Sequence, residues 1–367
     1  MSDQWIFIQA HDVWMFRDSK PFTAQQTFNA KSQFPPNPQT IQGVIRSHYL
    51  ESKGVNWAEY AHGTADSSLY SAVGSAGTKN KQYAPSMGNL HIQGPYIARR
   101  GDKNQLEMLI PAPLDLMYHA IDKKYALLSL APKANFVTGG IFNGWRPLQA
   151  PKDYKHQEGV WLSQSQFAEY LSGKAPTGDL ITQDKLFTSE DRIGLGLDYG
   201  RRANRDEHLY RAKFIRPHDE VGILVHVNSV MFNSPTGYVR IGGEARSGRY
   251  NVVSFTPPKH ATTTGNLKVV LLTPAYFSEG WQPQNGDWSG WVGQGKLVSA
   301  VIGKPLAISG WDVANNRPKP LRHYVPAGSV YYFENATWQN NPFTESPQGE
   351  AQFSQMGFGC VGVGKYQ

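Results

Sequence analysis

Short runs of strand-forming residues recur along this chain while helical periodicity surfaces at only a few places, and that imbalance constrains the fold more than any other feature. Trp5 to Ala10 alternates Trp5 and Phe7 against Ile6 and Ile8, which predicts a buried first strand. Asn37-Pro38 opens a helix: Asn37 can cap free amides, Pro38 suits the first helical position, and Ile41, Val44, Ile45, His48 and Tyr49 recur on one face until Gly54. Strand-like runs at 90–98 and 105–110 flank Arg99-Arg100-Gly101-Asp102-Lys103-Asn104 and predict a hairpin with a basic tip. A strand at 126–130 and a short helix at 164–171, closed by Gly173, complete the first half. Strands are predicted in the second half at 209–215, 221–227, 250–255, 267–272, 297–302 and 330–333, with few helical patterns between them.

The expected fold is α+β with antiparallel sheets, for which the ferredoxin-like βαββαβ unit is one common solution. At 367 residues the chain exceeds the usual size of one core. The stretch Lys174-Ala175-Pro176-Thr177-Gly178 is the expected boundary between domains 1–178 and 179–367. Residues 61–88, rich in Gly, Ser, Ala, Thr and Asn, read as a mobile insertion in the first domain.

Composition narrows the function. Hydrophobic residues at 40% and aromatics at 12% describe a globular chain rather than a disordered one. A formal charge of +7 and a pI near 9.2 favour polyanionic partners. Cys360 is the only cysteine, which excludes an intramolecular disulfide and a Cys-based zinc site and points to the cytoplasm. No signal peptide or membrane segment is expected, since apolar runs such as 267–272 and 298–302 are far shorter than the roughly 20 residues that span a bilayer.

Two glycine motifs resemble nucleotide sites and fail as such. Gly290-Trp291-Val292-Gly293-Gln294-Gly295-Lys296 fits a P-loop until Leu297, which stands where Ser or Thr would hold Mg²⁺. Gly357-Phe358-Gly359-Cys360-Val361-Gly362 spells GxGxxG too near the chain end to open a βαβ unit. Its glycines, with Gly364, can bring backbone amides close to a phosphodiester, or else form a terminal hairpin packed on a sheet.

The densest basic run extends from Arg192 to Arg216 and holds seven basic residues against Asp198, Asp206 and Glu207, a net of +4. Arg192, Arg201, Arg202 and Arg205, with interleaved Gly and Tyr, suit phosphate contact and base stacking on single-stranded RNA. A solvated strand face is the other reading. Gly242-Gly243-Glu244-Ala245-Arg246 repeats the chemistry, and Glu244 can orient an arginine fork or merely close a salt bridge under a turn. No HExxH, CxxC, GxSxG or acidic cluster is present. His11, after the first strand, and His48, on the first helix, are the remaining acid-base candidates, and His48 falls on the apolar face.

Taken together these segments resemble the RAMP superfamily of CRISPR proteins, and most closely its stem subunit at the crRNA 5′ end of type III-B (Cmr) effector complexes. The likeness rests on Phe16-Arg17-Asp18-Ser19-Lys20-Pro21-Phe22 and on Phe34-Pro35-Pro36-Asn37-Pro38-Gln39-Thr40-Ile41-Gln42-Gly43-Val44-Ile45-Arg46. Arg192-Ile193-Gly194, Leu209-Tyr210, the 242–246 loop and the terminal glycines follow in order. The resemblance implies two ferredoxin-like domains with long glycine-rich insertions, and a non-catalytic subunit that needs no metal or cofactor. It also implies three partners: the crRNA 5′ handle, the polymerase-like large subunit and the adjacent backbone RAMP subunit. Carried over residue by residue, it assigns handle contacts to Arg17, Arg46, Arg192, Arg201, Arg202, Arg205 and Arg246, with Gly242, Gly243 and Gly357, Phe358, Gly359, Gly362, Gly364 at close backbone approach. The competing expectation is a metal-independent crRNA-processing endoribonuclease that uses His11 or His48.

Overall fold

The first strand, Asp3–Ala10, is central because its residues are apolar on both faces: Ile6, Phe7 and Ile8 are all fully buried. It pairs antiparallel on one side with Val221–Asn228, where Ile6 faces Val225, and on the other with Ser247–Val253, where Ile6 faces Val252. His91–Arg100 flanks Val221–Asn228, and Thr236–Arg240 closes the far edge beyond Ser247–Val253. Taking the strands 3–10, 91–100, 221–228 and 247–253 in chain order as first to fourth, their order across the sheet is fourth, first, third, second. The computed structural model describes residues 3–18, 29–30, 32–101, 105–119, 124–126, 145–148, 150, 152–198, 203–312 and 316–366, the side chains of 29–30, 124–126, 194–198 and 203–210 excepted.

The helix expected after Asn37 runs Pro38–Ser52, with Pro38 in its first turn and the Asn37 side chain accepting from the Thr40 amide at 3.0 Å. Residues 61–88, read from sequence as a mobile insertion, hold the end of one short capped helix, Trp57–His62, and the whole of another, Ser67–Val73. Tyr60, Tyr70 and Tyr83 stack between them at centroid separations of 4.8 and 3.8 Å. Small residues hid these elements, because each helix is held by its caps and by tyrosine contacts from outside its own sequence window.

A second antiparallel sheet joins Thr264–Leu271, Lys296–Val301, Val330–Thr337 and Val361–Lys365, again in the order fourth, first, third, second. The helix Gln164–Leu171, started by a Ser163–Gln166 capping box, lies on the last of these strands. Its Tyr170 hydroxyl, with that of Tyr332, donates to the buried Asp115 carboxylate at 2.6 Å, while the fully buried Lys268 ammonium sits 3.5 Å over the Tyr170 ring. Trp288, Phe343, Tyr331, Phe333 and Phe277 form the aromatic core on this sheet.

Backbone contacts gather the chain into two units, each of three segments: Met1–Lys103, Asp184–Ser254 and Ala307–Arg322 in one, Asn104–Gln183, Phe255–Leu306 and His323–Gln367 in the other. The division drawn at residue 178 therefore differs from the grouping by contacts, because each unit takes strands from both halves of the sequence. All six strands expected in the second half are present, as is the pair His91–Arg100 and Leu106–Pro111, whose connecting residues 102–104 lie outside the described residues. Of the expected 126–130 strand, Lys124–Ala126 is described and 127–130 are not. No helix among the described residues is long and apolar enough to cross a membrane.

Candidate nucleic-acid interface

The glycine- and arginine-rich run around residue 192 is not a loop but a long β-ribbon, Phe187–Asp198 paired antiparallel with Ala203–Pro217. Strand alternation places Glu190 and Arg192 on one face, and the register sets Glu190 opposite Phe214, Arg192 opposite Ala212 and Thr188 opposite Arg216 on that face. The opposite face carries Asp191, which accepts from Arg211 at 2.5 Å.

The base of the ribbon is seated by residues of the first strand's continuation. Trp14 and Ile215 exchange backbone hydrogen bonds of 2.9 and 2.8 Å, and Val13 and Met15 pack on Ala212 and Phe214. Phe34 stacks with Trp14 and with Phe16, the two phenylalanines coming from the two segments that carry the family resemblance, and Phe34 meets Phe187 edge-on at 4.8 Å. These motif aromatics thus anchor the ribbon.

Asp12 stands where that segment meets the ribbon and gathers three arginines. Arg192 and Arg216 each reach its carboxylate at 3.0 Å, and Arg246 approaches at 3.5 Å. Glu190 accepts from Arg192 and Arg216, both from Nε at 2.7 Å. The guanidinium carbons of Arg192 and Arg246 lie 5.1 and 4.9 Å from the Phe214 ring centroid. Three cations against two carboxylates leave the cluster at +1. Partial burial raises the Asp12 pKa, but hydrogen bonds from Arg192 and Arg216 outweigh it and hold the carboxyl below its ordinary value. Separate hydrogen bonds from the same two arginines hold Glu190 below its ordinary value. These carboxylates brace the forks and fix their planes while leaving other N–H donors outside the ion pairs, on side chains 26 to 44% exposed.

Arg246 leaves the turn between Thr236–Arg240 and Ser247–Val253. Gly242 has φ +83, and an added Cβ would meet the Met15 carbonyl oxygen at 2.6 Å. The Gly243 amide donates to that same carbonyl at 2.8 Å. Both glycines therefore dock the turn on the protein's own backbone.

Several expected contacts take other roles. Arg46 is half-buried, and its guanidinium donates to the Val73 and Ser86 carbonyls at 2.9 Å, tying the 57–90 segment to the first helix rather than facing a phosphate. Phe358 is fully buried and stacks on Tyr324 at 4.9 Å, so it is a core residue and not a base platform. Gly357, at φ +100, caps the short helix Phe353–Met356, and a Cβ on Gly359 would meet the Phe343 carbonyl carbon at 2.6 Å. Gly362 and Gly364 are buried in Val361–Lys365, where a Cβ would overlap the Phe167 ring and the Leu171 carbonyl oxygen. Gly362 and Gly364 thus allow close strand–helix packing. Arg17 is exposed and its backbone bridges Ser32. Arg201 and Arg202 lie outside the described residues, and Arg205 is described only as part of the strand Ala203–Pro217.

The arginine cluster includes three residues that the motif reading did not single out: Asp12, Glu190 and Phe214. Their signal was the period of two in Glu190-x-Arg192 and Ala212-x-Phe214-x-Arg216, visible once both runs are read as strands. His48 stacks on Phe232 at 4.4 Å and meets Tyr250 edge-on, and its burial lowers its pKa, the surroundings of a packed histidine. Among the described residues no group of acidic, His or Cys side chains could hold a metal ion.

Sheets, seated ribbon and braced arginines define a two-unit α+β protein with a basic arm. The sequence matches the CRISPR-associated protein (Cas_Cmr3) family over residues 6–366, and the chain belongs to that family. No curated protein was found to match it. Among solved structures it is similar to a chain of the type III-B Cmr-beta complex bound to cognate target RNA and AMPPnP, at 17% identity and TM-score 0.48, covering 90% of this chain and 86% of that one. It is also similar to a chain of the Csm3-Csm4 subcomplex from the type III-A CRISPR-Cas interference complex (9% identity, TM-score 0.41, 91% and 97% covered). A chain of the Csm1-Csm4 cassette with cA4 is a further similar structure (10% identity, TM-score 0.36, 91% and 88% covered).

Proposed function

We propose that this chain is a non-catalytic, cytoplasmic RNA-binding subunit of a type III-B CRISPR effector ribonucleoprotein. In this role it holds the repeat-derived 5′ handle of the crRNA and bridges the polymerase-like large subunit to the adjacent backbone RAMP subunit. The observation that carries the reading is the braced ribbon: a cluster of net charge +1 seats a two-stranded arm whose sequence continues into Arg201, Arg202 and Arg205. Carboxylates at the base keep the arm in place, and the arginines that the sequence carries further along it supply phosphate contact. Arg17, exposed beside the segment that seats the ribbon, is kept as a further contact, whereas Arg46 and the terminal glycines have structural duties.

The strand order fourth, first, third, second in each sheet supports reading each unit as an elaborated ferredoxin-like domain. The family membership and the likeness to chains of RNA-bound and subunit-bound type III complexes support the partners. The endoribonuclease reading has less support, because His48 is packed against Phe232 and Tyr250 with its pKa lowered by burial.

The test is affinity of the reconstituted complex for handle RNA across a salt series. Changing Arg201, Arg202 and Arg205 together to Ala is expected to reduce the slope of log affinity against log salt by about 2, at about 0.7 for each single-strand phosphate released. An unchanged slope and affinity would remove the ribbon from RNA recognition.

A further inference from the structure

Trp288 and its neighbours in the connection between the first and second strands of the 264–365 sheet, which the handle-binding role leaves unused, line a cavity together with Trp145. Its volume is about 510 Å³, within the range of about 300–1,000 Å³ usual for small-ligand pockets. Trp288 forms its floor and is itself fixed in the core, stacked on Phe343 at 5.3 Å. Trp281, packed against the same core, meets Trp145 edge-on at 5.6 Å. Trp145 belongs to the cavity wall yet is 40% exposed, so part of its indole is open to a ligand.

The polar lining is specific in kind. Asp287 accepts from the Ser289 amide at 2.9 Å, which fixes its carboxylate and holds it ionised, below its ordinary pKa. Gln282 and Gln294 add amide groups that both donate and accept. Lys296 begins the strand at the rim, exposed, with no ion pair to its ammonium among the described residues. A flat aromatic surface, a fixed carboxylate, two amides and one cation match the parts of a nucleotide: a base face, an exocyclic amine, further base-edge groups and a phosphate. An aliphatic side chain would leave the carboxylate and amides desolvated without partners.

We propose that this cavity holds one unstacked nucleotide of a single-stranded RNA, with the base on Trp145, its amine on Asp287 and its phosphate at Lys296. The Gly290–Lys296 stretch that imitates a P-loop in sequence thus serves a base rather than a triphosphate. It folds as the short helix Ser289–Val292, a turn at Gly293 and the start of a strand. The inference extends the RNA-binding reading above, and the experiment separates the two.

The probe is crRNA carrying photoreactive 4-thiouridine, assembled into the effector complex with the full chain, followed by peptide mapping and by affinity measurement on variants. A crosslink within residues 145–148 or 282–297 is expected, with about tenfold weaker RNA binding for Trp145→Ala and recovery in Trp145→Phe, since one base–aromatic stack contributes about 1–3 kcal/mol. Lys296→Ala is expected to reduce the salt slope by about 0.7. Trp145 is a surface residue, and an unchanged melting temperature of each variant confirms that a loss is one of binding. Crosslinks confined to the 187–217 ribbon, with Trp145→Ala binding normally, overturn the pocket and leave the handle-binding role standing. Crosslinks that never reach this chain overturn both.

Discussion

Asp12 decides what three neighbouring arginines can do, because it pairs with Arg192, Arg216 and Arg246 before any phosphate arrives. Replacing it with Asn is expected to loosen the ribbon base, read as faster amide exchange at Trp14 and Ile215 while the Asp3–Ala10 core amides are unaffected. Acid should act alike. Asp12 and Glu190 titrate below their ordinary values of 3.8 and 4.5, so the stability they add is complete above those values and lost as pH falls through the lower folded ones. Protection at Trp14 should therefore persist at about pH 5 and fail only below about pH 4. Lys268 gives the opposite sign: burial pushes it down to about 8, so the unfolded chain binds the extra proton between there and 10.5, and stability rises with pH across that window. Above about pH 10 the buried Tyr170 and Tyr332 reverse the trend, since burial raises both and they stay protonated while unfolded tyrosines ionise. Thermal melts at pH 7 to 10 should show the rise, and Lys268→Met should abolish it. Phe358→Ala should cost about 3–5 kcal/mol of stability in denaturant unfolding without altering RNA crosslinks, as befits a core ring.

At the scale of elements, the sequence was most legible where local signals and burial agree. Asn37-Pro38 marked a helix start within one residue, and the apolar runs of the second half marked six of its strands. Glycine misled in two places for one reason: its backbone freedom says nothing about what approaches it. In Val361–Lys365 the neighbour is the helix Gln164–Leu171, nearly 200 positions away in sequence, and no local pattern announces that contact. Gly362→Ala is accordingly expected to destabilise by about 1–3 kcal/mol through overpacking against Phe167, measurable as a lower denaturant midpoint. In the ribbon, Gly194 and Gly196 left the first strand without an apolar pattern, and with it went unread the alternation that places Glu190, Arg192, Phe214 and Arg216 on one face.

At the scale of the whole chain, basic charge alone supported only a polyanion partner, and the family motifs added the CRISPR assignment that the match over residues 6–366 confirms. The two units could not be divided from sequence, because each is completed by segments from the other half of the chain. Of the arginines nominated for RNA, Arg46 proves structural, Arg192 and Arg246 are braced by Asp12, and the ribbon beyond them carries the functional reading. The central claim is position at the 5′ end of the guide. Its most direct measurement is site-specific crosslinking in the reconstituted effector complex, with 4-thiouridine placed in turn in the 5′ handle, mid-guide and at the 3′ end of the crRNA. The account predicts that this chain is labelled from the handle and from neither other position. Labelling from mid-guide or the 3′ end, with none from the handle, would contradict it.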